Sequence, residues 1–202
     1  MKHPQATALS RRRPQAAPQA DGQLEVRGLD IGYRRSDGQV VSAVRGVAFS
    51  VEAGTSLGIV GESGSGKCTV ARALLGHCRA GGVITAGSVH VAGEDILRLD
   101  EAGRRRLRGS HIAFVPQNPL SSLTPHMRIG EQVDEAVRHL HGCTAQQARA
   151  RTLELFEATN LPDPKGICER LPHELSGGQR QRVVIAAALA RNPRVHVLDG
   201  AT

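Results

Sequence analysis

The apolar residues of this chain follow two different spacings, and both predict strands. Between residues 24 and 31 apolar side chains alternate with polar or small ones, and a second alternating stretch at residues 47–51 follows a Ser-Asp-Gly turn signal. A period of two is typical of half-buried strands in an antiparallel sheet. The runs Leu57–Val60 and Val195–Leu198 are nearly continuous instead, which is typical of strands buried on both faces.

Helical spacing covers most of the remaining chain. It predicts helices at residues 67–77, 96–108, 130–160 and 177–191. Strands, including a further one at residues 112–115, alternate with helices at both ends, whereas the middle is helical. The order predicts an α/β fold with a mainly parallel core sheet, an N-terminal antiparallel β part and a helical subdomain at about residues 118–176.

The composition is that of a globular chain with a basic tail. Of 202 residues, 40% are hydrophobic and 22% charged, and no apolar run reaches the length of about 18 residues that a membrane-spanning helix needs. Residues 1–20 carry four basic and no acidic side chains, and so hold +4 of the formal net charge of +7. Residues 1–22 are therefore predicted to be a disordered basic tail, and residues 23–202 the folded domain. Four cysteines without a C-x-x-C pair favour a reducing, cytoplasmic compartment.

A glycine-rich segment lies between the run 57–60 and the first predicted helix. It consists of Gly61, Glu62, Ser63, Gly64, Ser65, Gly66, Lys67, Cys68 and Thr69. Glycines let successive backbone N–H groups point into one anion-binding concavity, and the following helix presents its positive end to the same anion. Lys67 adds a full charge for the outer phosphates. The segment therefore predicts a loop that binds nucleotide phosphates.

Cys68 departs from the pattern of such loops. The residue after the lysine is normally Ser or Thr, whose hydroxyl ligates the Mg²⁺ of a magnesium nucleotide. A thiol is a soft ligand and Mg²⁺ a hard ion, so we expect Cys68 to be a weak metal ligand. Thr69 is adjacent, but the helix turns it in a different direction.

A second pair of glycines opens the last predicted helix. Ser176, Gly177, Gly178 and Gln179 stand where the backbone donors of a helix N-terminus can meet phosphate. Taken alone, the segment fits an ordinary helix start with Ser176 as the N-cap. Taken with the loop at residues 61–69, it favours a role in phosphate binding.

These segments, in this order, resemble the ATP-binding subunits of ABC transporters. Leu175–Gln179 resembles the signature motif of that family, and residues 61–69 resemble its Walker A loop. The run that ends in Asp199 resembles Walker B, and Gln117 resembles the Q-loop glutamine. Tyr33 matches the aromatic residue that stacks on adenine in this family.

The resemblance covers about residues 23–202 and implies a P-loop fold and a dimeric mechanism. ATP would lie between the Walker A loop of one subunit and the signature motif of a second ATP-binding subunit, a homo- or heterodimer partner. Asp199 would hold Mg²⁺, and Gln117 would serve the same site and couple it to membrane-spanning permease subunits. The amino-acid sequence of residues 61–67 and 116–125 resembles that of the ATP-binding subunits of oligopeptide, dipeptide and nickel importers. The subunit would then be peripheral on the inner face of the cell membrane.

Departures at the carboxyl end leave a second interpretation open. In the family the Walker B aspartate is followed by a glutamate that polarises the attacking water, whereas Gly200 occupies that position and has no side chain to do so. The D-loop and the switch histidine do not follow in this chain, so the C-terminal part of the domain is expected to be missing. The alternative is a catalytically defective or remnant nucleotide-binding protein without transport activity.

Net charge alone suggests a third interpretation, a soluble ABC-type protein that acts on nucleic acid. Outside the tail, however, the remaining 182 residues carry 22 basic and 19 acidic side chains. The arginines at 104, 105, 106 and 108 belong to an amphipathic helix and are predicted to lie on its solvated face. We therefore expect no specific nucleic-acid partner.

Gly200 predicts that the chain hydrolyses ATP very slowly or not at all. General-base assistance contributes about 10²–10⁴-fold to a reaction rate, and residue 200 cannot supply it. In a magnesium-dependent phosphate-release assay, we expect the purified chain to release no more phosphate than its Lys67→Ala variant. Steady turnover that disappears in Lys67→Ala would contradict this expectation.

Overall fold

The computed structural model describes residues 23–200, so the predicted tail at residues 1–22 lies outside the described part. The chain divides after Arg108 into two compact units. The elements, in chain order, are β1 (Leu24–Arg34), β2 (Val40–Val51), α1 (Lys67–Ala73), β3 (Gly82–Val91), β4 (Glu94–Asp95), α2 (Glu101–Ser110), β5 (Ile112–Val115), α3 (Ile129–His141), α4 (Ala145–Ala158), α5 (Pro164–Glu169), α6 (Gly177–Leu189) and β6 (Val195–Leu198). Short 3₁₀ helices cover Pro119–Ser122 and Pro172–Glu174.

The first unit is built on a four-stranded antiparallel sheet in the order β2-β1-β3-β4. Strand β1 pairs with β2 on one side and with β3 on the other. The alternating residues of β1 that predicted a strand point into the core, and Leu29 and Ile31 are among the most buried side chains of the unit. The N-terminal antiparallel part thus forms as its hydrophobic period predicts, since each apolar side chain leaves water on the same face.

A β-bulge interrupts the antiparallel pairing of β1 with β3. Between Arg27 and Asp30 the register shifts, so that two residues of β1, Gly28 and Leu29, lie opposite Gly87 of β3. Gly87 has φ +96°, and a Cβ atom there would lie 2.6 Å from the Gly28 carbonyl oxygen and 2.6 Å from the Leu29 Cα atom. The bulge therefore needs a glycine at residue 87 for two reasons, the backbone angle and the close approach of the neighbouring strand.

The second unit contains a parallel pair of strands and four α-helices. Strands β5 and β6 pair in parallel, from Ile112 opposite Val195 to Val115 opposite Leu198. The helices enclose an apolar cluster around Phe156, which is fully buried. The α/β class is confirmed, although the parallel pairing within residues 23–200 is limited to these two strands.

Helix boundaries follow local stop signals that the periodicity does not show. The predicted helix at residues 130–160 is two helices, because Gly142 ends α3 with φ +58° and Thr144 opens α4 with a capping box to Gln147. Helix α2 begins at Glu101, after Asp100, whose carboxylate accepts a hydrogen bond from the Gly103 N–H at 2.8 Å. Within the described residues, every helix is too short or too polar to cross a membrane.

Of the two predictions of strands buried on both faces, one is wrong and the other is wrong in part. Leu57–Val60 forms no strand, and the Leu57, Ile59 and Val60 side chains are 47%, 39% and 58% exposed. A strand exists only through backbone pairing, and the described residues include no strand that pairs with this run. In β6 only alternate residues are buried, so His196 and Leu198, which belong to the run predicted to be buried on both faces, are exposed.

The bulge gives a stability prediction with a matched control. Gly87→Ala should destabilise the chain by about 3 kcal/mol, since the positive φ costs about 1–2 kcal/mol and the added Cβ overlaps the backbone of β1. Gly28→Ala, at φ +54° with no atom within 4 Å of the added Cβ, should cost only the backbone term. Chemical denaturation followed by circular dichroism measures both. Equal losses in the two variants would contradict the close approach.

Candidate nucleotide-binding site

The glycine-rich loop of the first unit closes around the side chain of its own lysine. Lys67 is the first residue of α1, and its Nζ atom donates to the carbonyl oxygens of Gly61 at 2.8 Å and Glu62 at 2.7 Å. A third contact, at 3.4 Å, reaches the Ser65 hydroxyl. The ammonium group is thus held over the loop without a carboxylate partner in these bonds, where it can serve a phosphate as a full positive charge.

Two glycines of this loop adopt angles that other residues rarely take. Gly64 has φ +82° and Gly66 has φ +94°. A Cβ atom on Gly66 would lie 3.1 Å from the Val44 Cγ2 atom and 3.2 Å from the Ala43 carbonyl oxygen of β2. Gly66 is also the N-cap of α1, and because it has no side chain, the N–H groups of the first turn receive no side-chain cap from it. The cradle that a phosphate needs is therefore compatible with the residues present.

Tyr33 and Thr69 lie next to each other, which the sequence does not indicate. Tyr33 is near the end of β1 and half-buried, and its hydroxyl lies 3.2 Å from the Thr69 hydroxyl on α1. The predicted adenine-stacking residue and the predicted phosphate loop are thus joined by a hydrogen bond within one unit. The Thr69 hydroxyl is therefore directed toward Tyr33.

The four cysteines, all of them among the described residues, form no disulfide with one another. Burial raises the pKa of the Cys78 thiol above its ordinary value. Burial is also the main cause that raises the pKa of Cys168, and the nearby Asp134 and Glu169 act in the same direction, while Arg149 opposes them. Both of these thiols therefore remain protonated at neutral pH.

In the second unit, Gln117 and Asp199 follow the carboxyl ends of two paired strands. Gln117 comes two residues after β5, and Asp199 directly follows β6. The Asp199 N–H donates to the Val115 carbonyl oxygen at 2.9 Å, which continues the ladder by one bond. Because the strands are parallel, both side chains emerge at the same sheet edge, with Gln117 exposed and Asp199 half-buried.

The segment Leu175–Gln179, which resembles the signature motif, contains the first residues of α6. This helix start is capped by the Ser176 side chain and is exposed at Gly177 and Gly178. The Gln179 N–H donates to the Ser176 hydroxyl at 3.2 Å, and the Ser176 N–H donates to the Gln179 side-chain oxygen at 2.9 Å. Ser176 is thus the N-cap of α6, as in the plain structural interpretation of the sequence. Gly177 and Gly178 are exposed and have no atom within 4 Å of an added Cβ. The two glycines therefore leave room beside the helix start for a large group.

Arg180 makes contacts beside the signature-like segment that the sequence does not indicate. Its guanidinium group donates to the carbonyl oxygens of Pro172 at 2.7 Å and His173 at 3.3 Å. These bonds tie the turn before the signature segment to the first turns of α6. The available signal is an arginine one residue after the Gly-Gly-Gln sequence, but nothing in the sequence shows that it binds carbonyl oxygens.

The donor set for Mg²⁺ is only partly present. No group of three or more His, Cys, Asp or Glu side chains that could hold a metal ion occurs among residues 23–200. A nucleotide-bound Mg²⁺ needs fewer protein ligands, since it takes one or two carboxylates together with phosphate oxygens and water. The Asp199 carboxylate and the Gln117 amide oxygen fit that requirement, and the Cys68 thiol fits it poorly.

A glycine-rich loop whose lysine opens a helix, in an α/β chain, defines a P-loop nucleotide-binding protein. The protein-family model described as ABC transporter matches residues 44–202, and the chain belongs to this family. It is 40% identical over 179 residues to a putative peptide import ATP-binding protein of Brucella abortus, covering 89% of this chain and 54% of the relative.

A second relative is also an ATP-binding protein of peptide transport. The chain is 40% identical over 189 residues to the oligopeptide transport ATP-binding protein OppD of Escherichia coli, covering 94% of this chain and 56% of the relative. Among solved structures, it matches the ATP-binding cassette MJ0796, a dimer in a post-hydrolysis state bound to ADP and Pi. That match has a TM-score of 0.76 and 27% identity, and covers 87% of this chain and 72% of the other. The chain thus spans about half the length of the curated relatives it matches.

Cys68 gives a testable prediction about magnesium. Cys68→Ser puts a hard hydroxyl oxygen in place of the soft thiol, so we expect the ratio of ATP affinity with Mg²⁺ to that with EDTA to rise severalfold. Cys143→Ser, which changes a half-buried cysteine in the second unit, should leave the ratio unchanged. Titration with a fluorescent ATP analogue measures both. An unchanged ratio in Cys68→Ser would show that residue 68 is not a metal ligand.

Proposed function

We propose that this chain is the ATP-binding subunit of an ABC-type importer of peptides, in which ATP binding by this chain is coupled to transport. Hydrolysis of ATP by this chain itself is expected to be slow, because Gly200 supplies no general base. The observation that carries the proposal is the closed loop around Lys67, because its ammonium group lies over the loop at hydrogen-bond distance from two carbonyl oxygens. The names of the relatives, which are peptide, oligopeptide and dipeptide transport proteins, support peptides over nickel as the transported class.

In this proposal the first unit binds the nucleotide. Lys67 supplies the positive charge for the phosphates, and Gly64 and Gly66 let the backbone N–H groups turn toward them. Tyr33 presents its ring for stacking on the base, while its hydroxyl holds the ring against Thr69. Magnesium, when bound with ATP, would neutralise phosphate charge.

The second unit carries candidate groups of its own. Asp199 and Gln117 offer oxygen ligands at one sheet edge, and Gly177 and Gly178 leave the N-terminus of α6 open for the phosphate of a partner subunit's nucleotide. We infer a second ATP-binding subunit and membrane-spanning permease subunits as partners, with the chain peripheral on the inner face of the membrane. The dimeric state of MJ0796 supports the first of these partners.

The proposal is tested by removing the loop charge. Lys67→Ala should weaken ATP binding about tenfold or more, because a charge-assisted hydrogen bond contributes about 1.5–3 kcal/mol. Lys165→Ala is the matched control, since it removes an identical charge from an exposed position on α5. Equal affinities of Lys67→Ala and the unchanged chain, in titrations with a fluorescent ATP analogue, would overturn the assignment of the loop.

A further inference from the structure

The turn that precedes α6 contains two backbone carbonyl groups that the helix itself does not pair. The 3₁₀ helix Pro172–Glu174 ends before α6 begins, and the last carbonyl groups of a helix have no partner within it. The Leu175 N–H reaches the Pro172 carbonyl oxygen only at 3.4 Å. The carbonyl oxygens of Pro172 and His173 therefore need hydrogen-bond donors from another part of the chain.

Arg180 supplies these donors from the first turns of α6. Its Nε atom donates to the Pro172 carbonyl oxygen at 2.7 Å, and its Nη2 atom donates to the His173 carbonyl oxygen at 3.3 Å. A long side chain on a helix points back toward the N-terminus, so residue 180 reaches the segment that precedes its own helix. The side chain is half-buried there, and its planar guanidinium group suits two adjacent acceptors.

The turn that Arg180 binds is anchored in the apolar core. Pro172 is buried, and the Leu175 side chain is 3% exposed within the apolar cluster of the second unit. The helix start that follows contains Gly177 and Gly178, which have no side chains to restrain their backbone. Arg180 thus ties a conformationally permissive helix start to a fixed support.

We propose that Arg180 is a positioning residue, which holds the Gly177–Gly178 start of α6 in place through the carbonyl groups of the preceding turn. The inference rests on the proposed function, in which this helix start meets the phosphate of a second subunit's nucleotide. Within residues 23–200 the N–H groups of Gly177 and Gly178 have no hydrogen-bond partner, so they are available as donors. Their direction depends on the turn that Arg180 holds.

The proposed role depends on hydrogen bonding and not on charge, because the guanidinium group commits N–H donors to carbonyl oxygens of the protein. Glutamine at residue 180 keeps an amide donor without the charge. Methionine keeps the unbranched side chain but has neither donor nor charge. We therefore expect Arg180→Gln to retain part of the function of Arg180 and Arg180→Met to retain none.

Arg182 provides a matched control on the same helix. It is exposed, and its guanidinium group donates to the Asn160 carbonyl oxygen at 2.5 Å. Residues two apart on a helix do not face each other, so this bond fixes a different side of α6. Arg182→Met therefore removes one charge and one carbonyl contact, as Arg180→Met does, but leaves the turn before α6 unchanged.

The first readout is amide hydrogen exchange of the full chain without nucleotide, followed by mass spectrometry. Arg180→Met should speed exchange in residues 171–179 about tenfold, because the turn opens more often once its carbonyl partners are lost. Arg180→Gln should have a smaller effect, and Arg182→Met should leave this segment unchanged. Unchanged exchange in Arg180→Met, or an equal rise in Arg182→Met, would overturn the proposal.

The second readout compares ATP-dependent self-association, measured by sedimentation, with the affinity of the single chain for a fluorescent ATP analogue. Arg180→Met should weaken self-association about tenfold and leave that affinity unchanged, since the loop around Lys67 lies in the first unit. A merely structural role would not separate the two quantities. Arg180→Gln should restore part of the association, and Arg182→Met should match the unchanged chain. Equal losses in Arg180→Gln and Arg180→Met would show that the charge acts, which contradicts positioning.

Failure of the proposed function gives a different result. If the unchanged chain does not self-associate in ATP and Lys67→Ala binds ATP normally, the proposed function fails, and the exchange readout alone decides the positioning role. If the unchanged chain and Arg180→Met self-associate equally in ATP, only the positioning role is overturned. If Arg180→Met does not fold, Arg180→Lys takes its place, since it keeps the charge but offers one nitrogen atom where Arg180 uses two.

Discussion

A strand is stable only when its backbone N–H and C=O groups are paired, and this requirement decides where the candidate site residues of the second unit lie. The parallel pairing of β5 with β6 brings the two following loops to one edge of the sheet. Asp199 is fixed there by a ladder bond to Val115, and Gln117 and Gly200 meet because they continue the same register. A shift of one residue in this pairing would separate all of these contacts.

Glycine serves different physical purposes along this chain. Gly64 and Gly66 provide the backbone angles of the glycine-rich loop, whereas Gly87 and Gly200 also admit a neighbouring group at less than 3 Å from the place of a Cβ. Gly177 leaves open space at a helix start. A sequence shows only that a glycine is present, and the neighbouring atoms show which of these purposes it serves.

The arginines explain why net charge is a poor guide to the partners of this protein. Arg104 donates to the carbonyl oxygens of Ile96 and Leu97, and Arg108 donates to that of Leu75. These two side chains, which the sequence assigns to a solvated face, hold the ends of neighbouring segments in place. Arg106 pairs with Glu94 instead. Arg104, Arg106 and Arg108 are therefore engaged in contacts within the protein.

The sequence by itself determined the features that depend on neighbours along the chain. The strand period of β1, the strand at residues 112–115 and the starts of α1 at residue 67 and of α6 at residue 177 all follow from local spacing and local backbone chemistry. The ABC transporter family follows from the order of the motifs and is confirmed.

Only the tertiary structure decided what depends on residues far apart in the chain. It leaves the apolar run Leu57–Val60 irregular, because a strand needs a partner and hydrophobic spacing does not supply one. It joins Tyr33 to Thr69 across 36 residues and sets Gln117 against Gly200 across a strand pair. Such contacts depend on register and close packing, which a pattern of residue types along one chain does not contain.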